Sequence, residues 1–290
     1  MLAAALLPSL RMPKSSLFLN EPFHRLDEAL ARIAQNRRFA LAFSGGMDSR
    51  FLAYAAQLLG YAPALLHICG PHIPEEETRE AEAWAKGRKL ELQLIPLDPL
   101  RIPEVASGHE RRCYFCKKAL FQRLGEETTL PLCDGTNLSD LEGYRPGRQA
   151  LRELGIASPL AEARLGKADI HDLALRTALD RPLQKPRPCL LTRFPYGMGV
   201  SRSLLRDVAG GEAAIRETFA EAGLPCPDFR LRLMDEEHAV LHLNYRDREA
   251  LSPALCEALA RAVAQAAPAL PPLNIEAVDK LSGFFDKARK

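Results

Sequence analysis

The spacing of apolar residues changes several times along the chain, and each change marks an element. Residues 38–43 (RFALAF) form a short apolar run that stops at Ser44-Gly45-Gly46. Helical spacing then takes over through Phe51, Leu52, Ala55, Leu58 and Leu59 and ends at Gly60, which predicts strand, glycine turn and helix. Residues 64–68 read as a second buried strand. Residues 74–88 read as a charged helix with Glu75, Glu76 and Glu77 in its first turn, where the helix dipole favours anions. Residues 90–95 give a third strand and 130–133 a fourth. Alternation of this kind predicts an α/β fold, a parallel sheet covered by helices. A ligand would sit at the carboxyl ends of the strands, which are Ser44, Cys69 and Asp134.

Past Gly147 the spacing is helical over 148–154 and 167–179. A proline-rich stretch, 182–195, has no regular period and is long enough for a loop with a task. From about residue 201 a separate pattern begins: a helix, strands at 229–234 and Ala239–Leu243, then a helix at 253–264. Two domains are therefore expected, 18–200 and 201–290, as a chain of 290 residues also suggests.

Composition narrows the class. Hydrophobic residues at 47% and charged residues at 26% exclude a disordered chain. A net charge of +2 and only 7% aromatics give no footprint for nucleic-acid binding. No apolar run approaches the ~18 residues of a membrane span. The apolar start is short and no basic segment precedes it, so no cleaved signal peptide is expected. Seven cysteines then point to the reducing cytoplasm, where thiols pack, ligate metals or act as nucleophiles.

Four segments carry candidate chemistry. In Ser44-Gly45-Gly46-Met47-Asp48-Ser49, two glycines let the backbone approach an anion, the helix start adds favourable potential, and Asp48 is placed to cap the helix. It is not a Walker loop, because the Gly-Lys-Ser/Thr ending is missing. A bare Ser-Gly-Gly is otherwise a common turn. Arg111-Arg112-Cys113-Tyr114-Phe115-Cys116-Lys117-Lys118 reads as a metal or redox pair with basic flanks that lower thiol pKa values, or as two cysteines at a helix start. A structural zinc site would want a second pair, and none is present. Asp134-Gly135-Thr136-Asn137-Leu138-Ser139-Asp140 would close over a ligand from the other side, or is an Asx-rich turn with a helix cap. Cys189, between prolines and flanked by Arg187 and Arg193, is a positioned thiol in a basic setting that favours thiolate, or an ordinary loop thiol. Cys69, Cys133, Cys226 and Cys256 read as packing thiols, and His67 and Trp84 as core residues.

SGGMDS between strand and helix resembles the PP-loop of the ATP pyrophosphatase superfamily, whose members bind ATP on an adenine-nucleotide-hydrolase-like sheet. With RRCYFCKKALF, DGTNLSD, GYRPG, SPLAEARLGKADI and KPRPCLLTRFPYG in one order, the chain resembles the LarE family of ATP-dependent sulfur transferases from about residue 38 to 197, and more weakly to 243. The resemblance implies a PP-loop domain with a smaller α+β C-terminal domain for substrate binding and oligomerisation. It implies adenylylation of a carboxylate of pyridinium-3,5-biscarboxylic acid mononucleotide, with ATP and Mg²⁺, and then sulfur insertion on the way to the nickel-pincer nucleotide. Ser44, Gly45, Gly46 and Ser49 would bind the phosphates with Asp48, which is also assigned a catalytic role. Asn137 and Asp140 would flank the nucleotide or its Mg²⁺, and Arg193 is assigned to the same nucleotide.

Cys189 matches the cysteine that the family consumes, leaving dehydroalanine. In a second branch Cys113, Cys116 and Cys189 would instead hold a [4Fe-4S] cluster with one iron open for sulfide. Arg230 and Arg232 would pair with substrate phosphate, since the guanidinium fork suits such groups. Family members assemble as homo-oligomers. The chain departs from the family pattern in SGGMDS for SGGVDS, in CLLTR for CLASR, and at Ala239–Leu243, which lacks the usual arginine and glutamate. Three other activities fit the loop alone. A tRNA thiolase sits poorly with the near-neutral charge, an amide ligase lacks room for an ammonia-supplying domain, and the third is a non-catalytic nucleotide sensor.

Overall fold

A computed structural model describes residues 21–142, 147–182 and 184–286. GYRPG lies outside them, apart from its last glycine. So does the apolar start of the chain. The chain divides into two compact units that interleave in sequence. The first is Met1–Cys69, Glu75–Leu97 and Lys117–Arg187, and the second is Gly70–Pro74, Asp98–Cys116 and Pro188–Lys290.

The first unit opens with α1 (Glu21–Ile33), which buries Phe23, Leu26, Ala29 and Leu30 along one stripe. The sequence pattern did not single it out. It continues with β1 (Arg38–Ala42), α2 (Met47–Leu58), β2 (Ala62–Cys69), α3 (Glu75–Gly87) and β3 (Leu92–Pro96). Next come α4 (Arg112–Glu126), whose first turn belongs to the second unit, β4 (Leu132–Cys133), α5 (Gly147–Glu153) and α6 (Lys167–Arg176). All four strands are parallel, in the order β3-β2-β1-β4. β1 is interior and nearly all apolar, as a strand covered on both faces must be. The direction of winding reverses between β1 and β4, the switch point at which open parallel sheets take their ligands. His67 and Trp84 are core residues as expected; His67 bonds Phe43 O at 2.8 Å and Thr78 Oγ1 at 3.1 Å.

The second unit holds α7 (Arg202–Glu221), β5 (Phe229–Leu233), β6 (Ala239–Leu243), α8 (Pro253–Ala266) and β7 (Leu273–Ala277). Its sheet runs β5-β6-β7, antiparallel then parallel. Leu205, Val208, Ile215 and Phe219 on α7 pack with Leu231, Leu241, Leu259 and Val263 in a core of its own. The proline-rich stretch is irregular as expected, up to a tight turn at Leu190–Arg193. Among the described residues no helix is long and apolar enough to cross a membrane.

The helix–sheet contact in this unit depends on a missing side chain. A Cβ on Gly211 would stand 2.6 Å from Leu231 Cδ2. Glycine to alanine inside a helix normally stabilises by about 0.5–1 kcal/mol. Here overpacking of a full core opposes it by about 1–3 kcal/mol. Gly211→Ala is therefore expected to lower the urea midpoint rather than raise it.

Candidate functional site

The loop after β1 is shaped by two close approaches. Gly45 has φ +72°, a left-handed backbone, and a Cβ there would also press on Ala81 Cβ at 3.2 Å. Gly135, after β4, lies against this loop: its Cβ would be 3.1 Å from Ser49 N. Ser49 Oγ donates to Gly46 O at 3.0 Å and lies 3.2 Å from Ser44 Oγ, which accepts from Gly46 N at 3.3 Å. Gly46 is the N-cap of α2 and offers no side chain. Asp48 makes no cap bond either, contrary to expectation, because it lies inside the first turn. The amides of that turn are thus left to a ligand, in the geometry that suits phosphate oxygens.

The loop after β4 follows both of its readings. Asp134 is a buried hub that accepts from Thr136 N at 3.1 Å, Thr136 Oγ1 at 2.5 Å and Ser158 Oγ at 2.7 Å. Asn137 and Asp140 cap a short turn reciprocally: Asp140 N donates to Asn137 Oδ1 at 3.1 Å and Asn137 N to Asp140 Oδ2 at 3.4 Å. The turn brings Asp140 towards Asp48. Burial, and then the Asp140 carboxylate, hold the Asp48 pKa above its usual range, while Lys167, a hydrogen bond from Asn137 and His171 pull it back. Lys167 Nζ reaches Asp140 Oδ1 at 3.5 Å. Two carboxylates that repel in a half-enclosed site suit a divalent cation. Lys167 and His171 were not anticipated, although their i,i+4 spacing at the start of α6 was a usable signal.

In the second unit the three cysteines come together. Cys113 and Cys116 lie in the first turn of α4, the helix-start placement that the sequence allowed. Arg112 beside them donates to Phe194 O at 2.6 Å and Pro195 O at 3.1 Å, which ties this turn to the Cys189 loop. The Cys189 carbonyl accepts from Thr192 N at 3.0 Å and Thr192 Oγ1 at 2.8 Å. Leu190 N donates to His72 O at 3.1 Å.

Cys189 is not the thiolate expected of a basic loop. Part of the residue reaches solvent, yet its thiol is enclosed; burial, then Cys116 and Cys113, push its pKa far up, against a weaker pull from Arg193. The flanking arginines do not offset this, because both are committed to carboxylates. Arg187 is paired with Glu80 at 2.5 Å, and Arg193 with Glu212. No disulfide forms among the seven cysteines. Among the described residues no three His, Cys, Asp or Glu side chains stand close enough to grip one metal ion.

Arg193 belongs to the architecture of that loop. Its Nε and Nη2 donate to Glu212 at 2.7 and 3.1 Å, and its Nη1 donates to Pro188 O at 3.1 Å and Thr192 Oγ1 at 2.9 Å. Glu212 was missed, although an acid on the apolar stripe 205, 208, 212, 215, 219 of a helix is the pattern of a buried ion pair. Arg230 and Arg232 on β5 are both buried rather than open to solvent. Arg230 Nη1 pairs with Asp228 at 2.5 Å, and Arg232 Nη1 donates to His242 Nδ1 at 2.8 Å. Burial, then Arg193 and Arg230, lower the Arg232 pKa to about 10.

No known family profile matches the chain. It is 34% identical over 207 residues to the uncharacterized protein slr1717 of Synechocystis, covering 68% of this chain and 72% of the relative. The chain belongs to the family of that protein. It is also 29% identical over 233 residues to the uncharacterized protein MJ0830 of Methanocaldococcus jannaschii, covering 75% of this chain and 88% of the relative. A more distant likeness, 28% over 193 residues, is to pyridinium-3,5-bisthiocarboxylic acid mononucleotide synthase of Lactiplantibacillus plantarum, covering 64% of this chain and 70% of that enzyme.

Two expectations follow from the electrostatics. A carboxylate with a raised folded-state pKa costs stability wherever it is ionised, and at neutral pH that cost is fully present. Asp48→Asn should therefore raise the urea midpoint of the ligand-free protein at pH 7 and lose the gain as pH falls through the Asp48 pKa. A raised thiol pKa leaves little thiolate at pH 8. Iodoacetamide should label Cys189 in iron-free protein at least about tenfold more slowly than an ordinary thiol of pKa ~8.5. Labelling should quicken with pH well past 9, and Cys116→Ser should speed it. Fast labelling at pH 7 would contradict this assignment.

Proposed function

We propose that this protein is an ATP-dependent sulfur transferase that converts a carboxylate on a pyridinium mononucleotide into a thiocarboxylate. The observation that carries the reading is the grouping of Cys113, Cys116 and Cys189 in one unit, although Cys189 is distant from the other two in sequence. The name of the Lactiplantibacillus relative supplies the product class, a bisthiocarboxylic acid mononucleotide. The glycine loop, with its uncapped helix start, supports ATP as the activating reagent.

A substrate carboxylate oxygen attacks the α-phosphorus of ATP, pyrophosphate leaves, and an acyl adenylate forms. The 44–49 loop binds the departing phosphates, and Asp48 with Asp140 would hold their Mg²⁺. A sulfur nucleophile then displaces AMP. If Cys189 is that nucleophile, a thioester forms. Loss of the Cα proton and cleavage of Cβ–S then leave a thiocarboxylate and dehydroalanine.

The raised thiol favours the other source. A thiol held neutral by burial and by two neighbouring thiols is a poor nucleophile but a good ligand once iron takes the proton's place. Cys113, Cys116 and Cys189 would supply the three thiolates that a [4Fe-4S] cluster with one open iron needs. Held by Cys113, Cys116 and Cys189, the cluster would supply a transferable sulfide on its remaining iron. The reading carries with it a cytoplasmic, homo-oligomeric enzyme in nickel-pincer nucleotide synthesis.

Exchange of labelled pyrophosphate into ATP tests the first half-reaction. Exchange that requires pyridinium-3,5-biscarboxylic acid mononucleotide, and that survives Cys189→Ala, is expected. ATP binding with no exchange for any carboxylic acid would identify a nucleotide sensor instead. Exchange supported by tRNA alone would identify a tRNA thiolase.

A further inference from the structure

Three arginines are buried together in the second unit, and they are not partnered alike. Arg193 has the Glu212 carboxylate, and Arg230 has Asp228. Arg232, only 3% exposed, has no carboxylate oxygen within ion-pair distance among the described residues. Its Nη1 faces His242 Nδ1 at 2.8 Å, its Nη2 donates to Leu281 O at 2.5 Å, and its Nε is buried with no acceptor. A guanidinium is always a donor, so His242 Nδ1 must carry a lone pair and the imidazole is neutral. Its Nε2 then holds the proton and points to Glu276 at 3.7 Å. The partner of Arg232 thus brings no negative charge. A buried cation with neutral partners is expensive.

What covers it is the segment 281–286. Phe284 lies under the Arg232 guanidinium at 4.6 Å and against the His242 ring at 4.4 Å, and Phe285 stands 6.0 Å from the same guanidinium. Asp286 accepts from Tyr196 Oη at 2.6 Å. Residues 281–286 therefore offer Arg232 a carbonyl and two ring faces, where an anion would offer charge.

We propose that residues 281–286 are a displaceable plug over an anion site on Arg232, and that this segment and a phosphate- or carboxylate-bearing ligand exclude one another there. The proposal rests on the substrate reading above and adds its regulation. The segment shields Arg232 from solvent while the site is empty. Its aromatic contacts are weak enough for a charged ligand to replace, since a charge-assisted bidentate pair exceeds a cation–π contact. The Tyr196–Asp286 bond then sets how readily the segment leaves.

The experiment uses the full chain and nicotinic acid mononucleotide, a pyridinium carboxylate with one phosphate. Affinity is measured by calorimetry for wild type, Phe284→Ala and a chain ending at Ser282, with hydrogen exchange followed over 279–286. Both variants are expected to bind about two- to thirty-fold more tightly than wild type, the range of one cation–π contact. Ligand should also speed exchange of the segment in wild type. Equal affinities, with exchange unchanged or slowed by ligand, would overturn the plug and leave the anion site standing. No binding to any of the three proteins would overturn the plug and the substrate reading together. Arg232→Gln separates a specific from a general effect: it should abolish binding in the presence or absence of Phe284, and retained binding would contradict the site.

Discussion

The buried ion pair between Arg193 and Glu212 is the constraint on which the second unit depends. Glu212 Oε1 accepts from Arg193 Nε at 2.7 Å and also from Leu231 N at 3.2 Å, so one carboxylate joins the Cys189 loop, α7 and β5. Such a pair adds little net stability over well-packed apolar residues, but removing one partner costs about 3–5 kcal/mol. Its value is positional. It holds a loop that has little regular structure against a rigid helix and sheet. It also occupies the arginine that would otherwise stabilise a Cys189 thiolate.

That pairing leaves burial in control of the Cys189 thiol. Burial of the thiol, with Cys116 and Cys113 beside it, keeps the proton on Cys189, and Arg193, paired with Glu212, opposes them only weakly. The first unit shows the opposite bias, towards a cation. Asp48 and Asp140 crowd one another, and the uncapped amides of α2 await an anion. Both arrangements cost stability in the empty protein, a pattern common at functional sites.

The parallel sheet, the glycine loop and the cap between Asn137 and Asp140 were legible because each is written in a few consecutive residues. The buried character of His67 and Trp84 was legible for the same reason. Other features depend on contacts distant in sequence. Nothing near Cys189 announces that Arg193 is committed to Glu212, so its basic neighbours suggested a thiolate. Arg230 and Arg232 were assigned to substrate phosphate, yet all five residues of Phe229–Leu233 are buried. The interleaving of residues 70–74 and 98–116 into the second unit leaves no local signal, and that unit resumes at Pro188 rather than at the change of pattern near 201. The helix Glu21–Ile33 did have a local signal, in Phe23, Leu26 and Leu30.

The proposed function requires Cys113, Cys116 and Cys189 to act as one sulfur-delivering site. It is tested most directly by preparing the protein without oxygen, supplying ATP, substrate and sulfide, and recording iron content, turnover and intact mass together. A cluster on these three cysteines requires about four irons per chain, broad absorbance lost on changing any of the three cysteines, many turnovers and an unchanged mass. Colourless protein, one turnover per chain and a mass loss at Cys189 matching dehydroalanine would contradict it.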